Sequence, residues 1–177
     1  MKRRLLACLT FAVLLLPSIT YAQGAAPELY GVKQVIIEPA RLPDAKAADT
    51  CGLSEHHITK TLAAALEGTG VPAIPAAEAG PPPLGVARID LVPLVYSRAD
   101  DELNCTSWIS LTAQNRVNAQ IPPVTTLRSV TVVYWRQSTM AVGSQTTHAG
   151  LVDSVLKKMA AQFAQQYRVD QPPTLPK

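Results

Sequence analysis

The chain lacks the short signatures by which a sequence announces a reaction. No Gly-x-Ser-x-Gly elbow presents a serine nucleophile, no glycine-rich loop is shaped for phosphate, and no Cys-x-x-Cys or zinc-type spacing of Cys and His occurs. Cysteine is scarce, with Cys8, Cys51 and Cys105 only, and histidine is limited to His56, His57 and His148. No internal repeat, charge block or low-complexity tract breaks the chain into separate units. A surplus of basic charge is also missing. The formal net charge of +3 at pH 7 is carried by Lys2, Arg3 and Arg4, and the later Lys and Arg residues are scattered among as many Asp and Glu residues. Nucleic-acid binding needs clustered cations to neutralise phosphates, so that class is set aside.

What is present begins with an address. Lys2-Arg3-Arg4 precede an apolar run from Leu5 to Leu16, and Thr20-Tyr21-Ala22 precede Gln23. Basic, greasy and small, in that order, is an export signal, too short to serve as a permanent anchor, with cleavage expected after Ala22. Leu5-Leu6-Ala7-Cys8 imitates a lipoprotein box, but it lies at the start of the apolar run where such a box should follow it. Arg3-Arg4 imitates a twin-arginine signal, but the strongly apolar run suits the general secretory route. The sequence therefore divides into a signal peptide over 1–22, a single α+β domain over 23–169, and a flexible proline-bearing tail over 170–177. The expected location is periplasmic or secreted.

Loss of the signal leaves Cys51 and Cys105, which pair without remainder in an oxidising compartment. The bridge is expected to tie the start of a helix to the start of a strand. Closing so long a loop stabilises a fold by up to about 4 kcal/mol on the chain-entropy model, less whatever strain and residual structure remove. Catalytic dithiols lie close together in sequence, so a structural role is expected.

Periodicity supplies the elements. Val35-Ile36-Ile37 reads as a short buried strand. Ser54 caps a helix carrying Glu55 in its first turn and Ile58, Leu62 and Leu66 on one stripe, with Gly68 and Gly70 to stop it. Val71 to Ile74 reads as a second brief strand, and Pro81-Pro82-Pro83 as a stiff connector. Val86 to Tyr96 alternates as a strand, which Pro93 places at an edge or bulge. Trp108 to Val117 turns Ile109, Leu111 and Ala113 to a dry side and Ser110, Thr112, Gln114 and Arg116 to a wet one. Arg128 to Val142 alternates Val130, Val132 and Tyr134 against Thr131, Val133 and Trp135, pairing antiparallel with its predecessor. Leu151 to Tyr167 is an amphipathic helix. The order predicts a two-layer sandwich, a mostly antiparallel sheet with two helices on one face.

Gly52-Leu53-Ser54, Gly70-Val71-Pro72, the Tyr134-Trp135 strand leading to Val142-Gly143, and Phe163-x-x-x-Tyr167 occur together in an order that resembles a group of small exported bacterial proteins of unknown function. The arrangement is also similar to the amino-terminal domain of the Tol-system propeller protein, a periplasmic interaction module. The chain departs from the group in placing Tyr134 where Thr more often precedes the Trp, and in carrying Cys51 and Cys105. The group has no established activity, so it implies no functional residue.

Candidate chemistry rests on few residues. His56, His57 and His148 are the metal candidates, but neighbours on a helix diverge by about 100°, so His56 and His57 do not converge on one ion; the plain reading is a polar first turn. Asp100-Asp101-Glu102 lacks the further ligands of a calcium loop and reads as a solvated turn. Trp108 and Trp135 offer a ligand platform or, more commonly on strands, packing. No cofactor is called for. The favoured function is an exported, non-catalytic interaction or adaptor domain that docks another envelope protein through a wet sheet face or an edge strand. The alternative is a small secreted enzyme or metal-binding protein using His56, His57 and His148.

Overall fold

The computed structural model describes residues 28–81, 84–100, 102–123 and 125–171; the expected signal peptide and most of the expected tail lie outside them. The chain is an α+β protein whose described residues form one five-stranded sheet and three α-helices. Its elements run β1 (Gln34–Ile37), α1 (Ala45–Thr50), α2 (Glu55–Leu66), β2 (Ala73–Pro75), a single 3-10 turn, β3 (Arg88–Ala99), β4 (Asn104–Gln120), β5 (Leu127–Ser144) and α3 (Gln145–Asp170). The sheet order is β2-β1-β3-β4-β5. β1 pairs in parallel with β2 and β3, while β3 with β4 and β4 with β5 are antiparallel, so the sheet is mixed and its long strands are the antiparallel ones.

Local chemistry explains the helix starts. Ser54 Oγ accepts from His57 N at 3.2 Å, the expected cap of α2. The sequence reading did not foresee α1, a short helix in which Asp44 Oδ1 accepts from Ala47 N at 2.9 Å. α3 begins earlier than the apolar stripe indicated and takes in His148; it ends at Asp170, which is buried and accepts from Leu29 N at 3.1 Å. Asp170 therefore belongs to the folded domain.

Two strand readings are corrected. β3 is the central strand, although Pro93 argued for an edge or bulge. The odd-numbered residues of β3 aim their backbone groups at β1: Glu38 N donates to Leu91 O, Arg41 N to Pro93 O, and Val95 N to Arg41 O. The missing N–H of Pro93 thus falls in the gap between Ile37, where β1 ends, and Arg41, which rejoins the sheet beside Leu94. In β5, a bulge opposite Ala113 and Gln114 inserts Tyr134 as an extra residue. Tyr134 and Trp135 consequently both pack against the core, and the alternation expected across them changes frame.

One hydrophobic cluster gathers Val35 and Ile37 of β1, Ile89, Leu91 and Val95 of β3, Ile109, Leu111 and Ala113 of β4, Ile58, Leu62 and Leu66 of α2, and Val152, Leu156, Met159 and Phe163 of α3. Trp135 meets Phe163 edge-on with ring centroids 5.3 Å apart. Tyr167 donates its hydroxyl to Val32 O at 2.8 Å, and burial pushes that phenol above its usual range. The Cys51–Cys105 disulfide joins the end of α1 to the start of β4.

Candidate interaction surface

The sheet face turned away from that cluster is built from the even-numbered residues of β3, β4 and the second half of β5, because side chains alternate along a strand. Register sets them in rows. Val92, Thr112 and Arg136 form one; Leu94, Ser110 and Ser138 the next; then Tyr96, Trp108 and Met140; then Arg98, Thr106 and Val142. Tyr96 is 51% exposed, Met140 60% and Val142 63%, so β3 and the edge strand β5 carry apolar side chains into solvent. This face is less uniformly wet than the alternation of β4 predicted. Ser110 and Thr112 are buried, and Ser110 Oγ accepts from Ser138 Oγ at 3.2 Å and from Arg136 Nε at 3.5 Å.

Its charges near the aromatic row have one sign, from Arg41, Arg98 and Arg136. A hollow of about 170 Å³ lies between Arg41, Leu94, Thr112 and Arg136. Towards β1 the face is closed: Ile36 is fully buried, and the connection from β2 to β3 has to cross β1, with Arg88 Nη1 reaching Gly80 O at 3.4 Å. Aromatic, methionine and arginine side chains together are the composition that protein interfaces favour.

Among the described residues β5 is one edge of the sheet and β2, three residues ending in Pro75, is the other. Paired residues in an antiparallel ladder exchange both hydrogen bonds or neither. Since the odd residues of β3 address β1, its even residues address β4, and the odd residues of β4 in turn address β5. The N–H and C=O groups of Arg136, Ser138, Met140 and Val142 therefore point away from the sheet. Beyond Gln114, β4 loses β3 as a partner, the Asn115 side chain donating instead to Arg88 O at 2.9 Å. The remainder of β4 and β5 continues as a two-stranded ribbon with exposed Ile121 and Leu127 near its turn.

A cleft of about 620 Å³ opens at the start of β3, lined in part by Tyr30, Arg88, Asp90, Asn115 and Tyr134. Burial raises the Asp90 carboxyl above its ordinary range, against the opposing pull of the Arg88 and Arg116 guanidinium groups. Arg88 Nε stands 3.9 Å from Asp90 Oδ1.

The three histidines are dispersed. His57 Nε2 lies 2.9 Å from Asp153 Oδ1, which also accepts from Thr61 Oγ1, and so links α2 to α3 at the surface. His56 faces a separate hollow beside Pro39 and Thr59. His148 is buried with Nε2 2.7 Å from Ser107 Oγ, which in turn lies 2.8 Å from Ser97 Oγ. Among the described residues no three His, Cys, Asp or Glu side chains are grouped to hold a metal. Ser107 and His148 have the partners of a nucleophile and base but no exposed surface, which closes them to substrate. His148 Nδ1 has no partner among the described residues, and burial lowers the affinity of this imidazole for a proton. A proton on Nε2 leaves Nδ1 as a bare lone pair, the less costly tautomer.

The acidic turn after β3 is organised by Asp100, which accepts from Asn104 N at 2.8 Å, Asn104 Nδ2 at 3.2 Å and Glu102 N at 3.0 Å. The Asn104 bonds, backbone first, hold its carboxyl below the usual range. The buried serine pair and the free β5 edge escaped the sequence reading. Ser97 and Ser107 share the periodicity of core positions on their strands, a signal that sequence carries without naming a partner.

The fold is thus that of an α+β protein with a mixed five-stranded sheet. A solved structure of the hypothetical protein CT253 from Chlamydia trachomatis is similar over 77% of this chain and 97% of that one, at 12% identity and a TM-score of 0.45. No family model matches the sequence, and no curated protein matches it. No helix among the described residues is long and apolar enough to cross a membrane.

Proposed function

We propose that the protein is an exported, disulfide-bridged, non-catalytic interaction domain that docks another envelope protein. The observation that carries this reading is the Tyr96, Trp108 and Met140 row beside the unpaired edge of β5. A solvent-facing band of this kind is retained by monomeric proteins chiefly where something binds it. The architecture behind it is a two-layer sandwich with α2 and α3 on the face opposite that row; the single cluster uniting their apolar stripes with the odd positions of β3 and β4 supports this arrangement.

Export rests on the Lys2 to Ala22 pattern and is favoured by the Cys51–Cys105 bridge, which persists in oxidising compartments. The expected likeness to small exported proteins of unknown function is part of the same proposal.

The test has two readouts. The exported protein has a mass beginning at Gln23 that rises by two hydrogens on reduction. Immobilised, it captures an envelope protein that the Trp108→Ala/Met140→Ala variant, folded by circular dichroism, no longer captures. Capture that survives this double substitution removes the far-face row from the function.

A further inference from the structure

The free edge of β5 does not stand alone: α3 runs beside it, and between them lies a groove of about 380 Å³ lined by Trp135, Gln137, Gln162, Gln166 and Val169. We infer that this groove takes one extended peptide segment of a partner protein, added to the sheet as a sixth strand and bearing an acidic side chain next to a hydroxyl- or amide-bearing one. The inference rests on the interaction-domain reading above and names its site and the chemistry of its partner.

Three features specify the segment. The first is backbone valence. Arg136, Ser138, Met140 and Val142 each direct an N–H and a C=O outward, so a strand laid alongside finds alternating donors and acceptors over the whole stretch. The second is Gln137. Its side chain lies on the groove side of β5, where its Oε1 is buried with no donor among the described residues. The odd residues of β5 spend their backbone bonds on β4, so the incoming residue opposite Gln137 forms a non-hydrogen-bonded pair with it. Side chains in such pairs approach most closely. A Ser, Thr, Asn or Gln there donates to Oε1 after a turn of the amide about its last torsion. The third feature is charge. Among the described residues Arg136 is the sole charged one at the groove, its guanidinium turned to the far face beside Ser110, and β5 carries Arg128 and Arg136 with no acidic residue. The incoming residue opposite Arg136 adjoins the one opposite Gln137 and projects to the far face, where an Asp or Glu meets the guanidinium. Beyond Ser138 on the same face, Met140 and Val142 present apolar surface to the same segment.

A peptide fits this edge better than a second copy of the chain. Antiparallel pairing of two β5 strands over Arg136 to Val142 would drive the ribbon of each copy past Ser144 of the other, where the chain turns into α3. A short segment ends before that point.

A displayed library of random nonapeptides, panned against the mature protein, tests the inference. Selected peptides are expected to carry Asp or Glu beside Ser, Thr, Asn or Gln and to slow amide hydrogen exchange at Arg136, Ser138, Met140 and Val142. Met140→Pro removes one outward N–H without touching the β4 ladder and is expected to weaken their binding about tenfold. Gln137→Leu is expected to shift the selected residue from polar to apolar. Should Met140→Pro not fold, peptides N-methylated at alternate residues probe the same bonds from the other side. Failure to select any peptide, or protection confined to Tyr96 and Trp108, overturns the groove. So does a dimer in sedimentation that Met140→Pro converts to monomer, since the edge then belongs to a second copy. Envelope capture lost in Trp108→Ala but intact in Met140→Pro sinks the groove and leaves the interaction domain standing; capture absent from the wild type sinks both.

Discussion

Trp108 and Trp135 stand on neighbouring strands and face opposite sides of the sheet. Trp108 lies across from Met140 on the far face, whereas Trp135 lies across from Ala113 with its ring against Phe163. The two residues of one type are therefore expected to separate stability from binding. Trp135→Ala should lower unfolding free energy by about 3 kcal/mol through the cavity it leaves, and Trp108→Ala by less than about 1 kcal/mol. Urea unfolding of both variants checks this, and equal losses would mean that the far face is covered.

The buried Ser97, Ser107 and His148 chain predicts a stability change with pH. Burial lowers the folded-state pKa of His148 below its ordinary value of 6.5. As pH falls through about 6.5, the unfolded chain takes up a proton that the folded one refuses. The contribution is thus fully present above that value and is lost towards the lower folded pKa. Melting temperatures measured between about pH 7.5 and 5 should fall less steeply in His148→Gln than in the wild type.

A side chain at Gly143 would meet the start of α3. A Cβ there would lie 2.6 Å from Leu151 Cδ1 and 3.3 Å from Thr147 Oγ1. Gly143→Ala should destabilise by less than about 1 kcal/mol, because the exposed Leu151 side chain can turn aside. Adding Leu151→Ala should recover part of that loss, a coupling that a double-mutant cycle measures directly.

Reduction of Cys51–Cys105, or replacement of both cysteines by serine, should cost about 2–4 kcal/mol. Denaturant unfolding with and without reductant reports it. A smaller effect would show that α1 and β4 stay together through packing alone.

Metal content checks the dispersal of the histidines. His56→Ala/His57→Ala is expected to leave bound zinc, measured on the native protein, unchanged, since His57 is engaged by Asp153 and His148 lies apart against Ser107.

Local periodicity determined much of this protein by itself. The stripe of Ile58, Leu62 and Leu66, the alternation of Ile109, Leu111 and Ala113 and the cap at Ser54 each depend on neighbours in sequence, the pairing of Cys51 with Cys105 on a count of cysteines, and each is present in the structure. What local pattern could not carry was the company each element keeps. Pro93 fits a central strand because a separate segment leaves the ladder beside it, and His148 is buried because α3 begins over Ser107. The Tyr134 bulge opposes residues of another strand, so no window of β5 alone reveals it. The free edge of β5 exists only by virtue of strand order, which is settled by long-range burial and not by the propensity of any one segment.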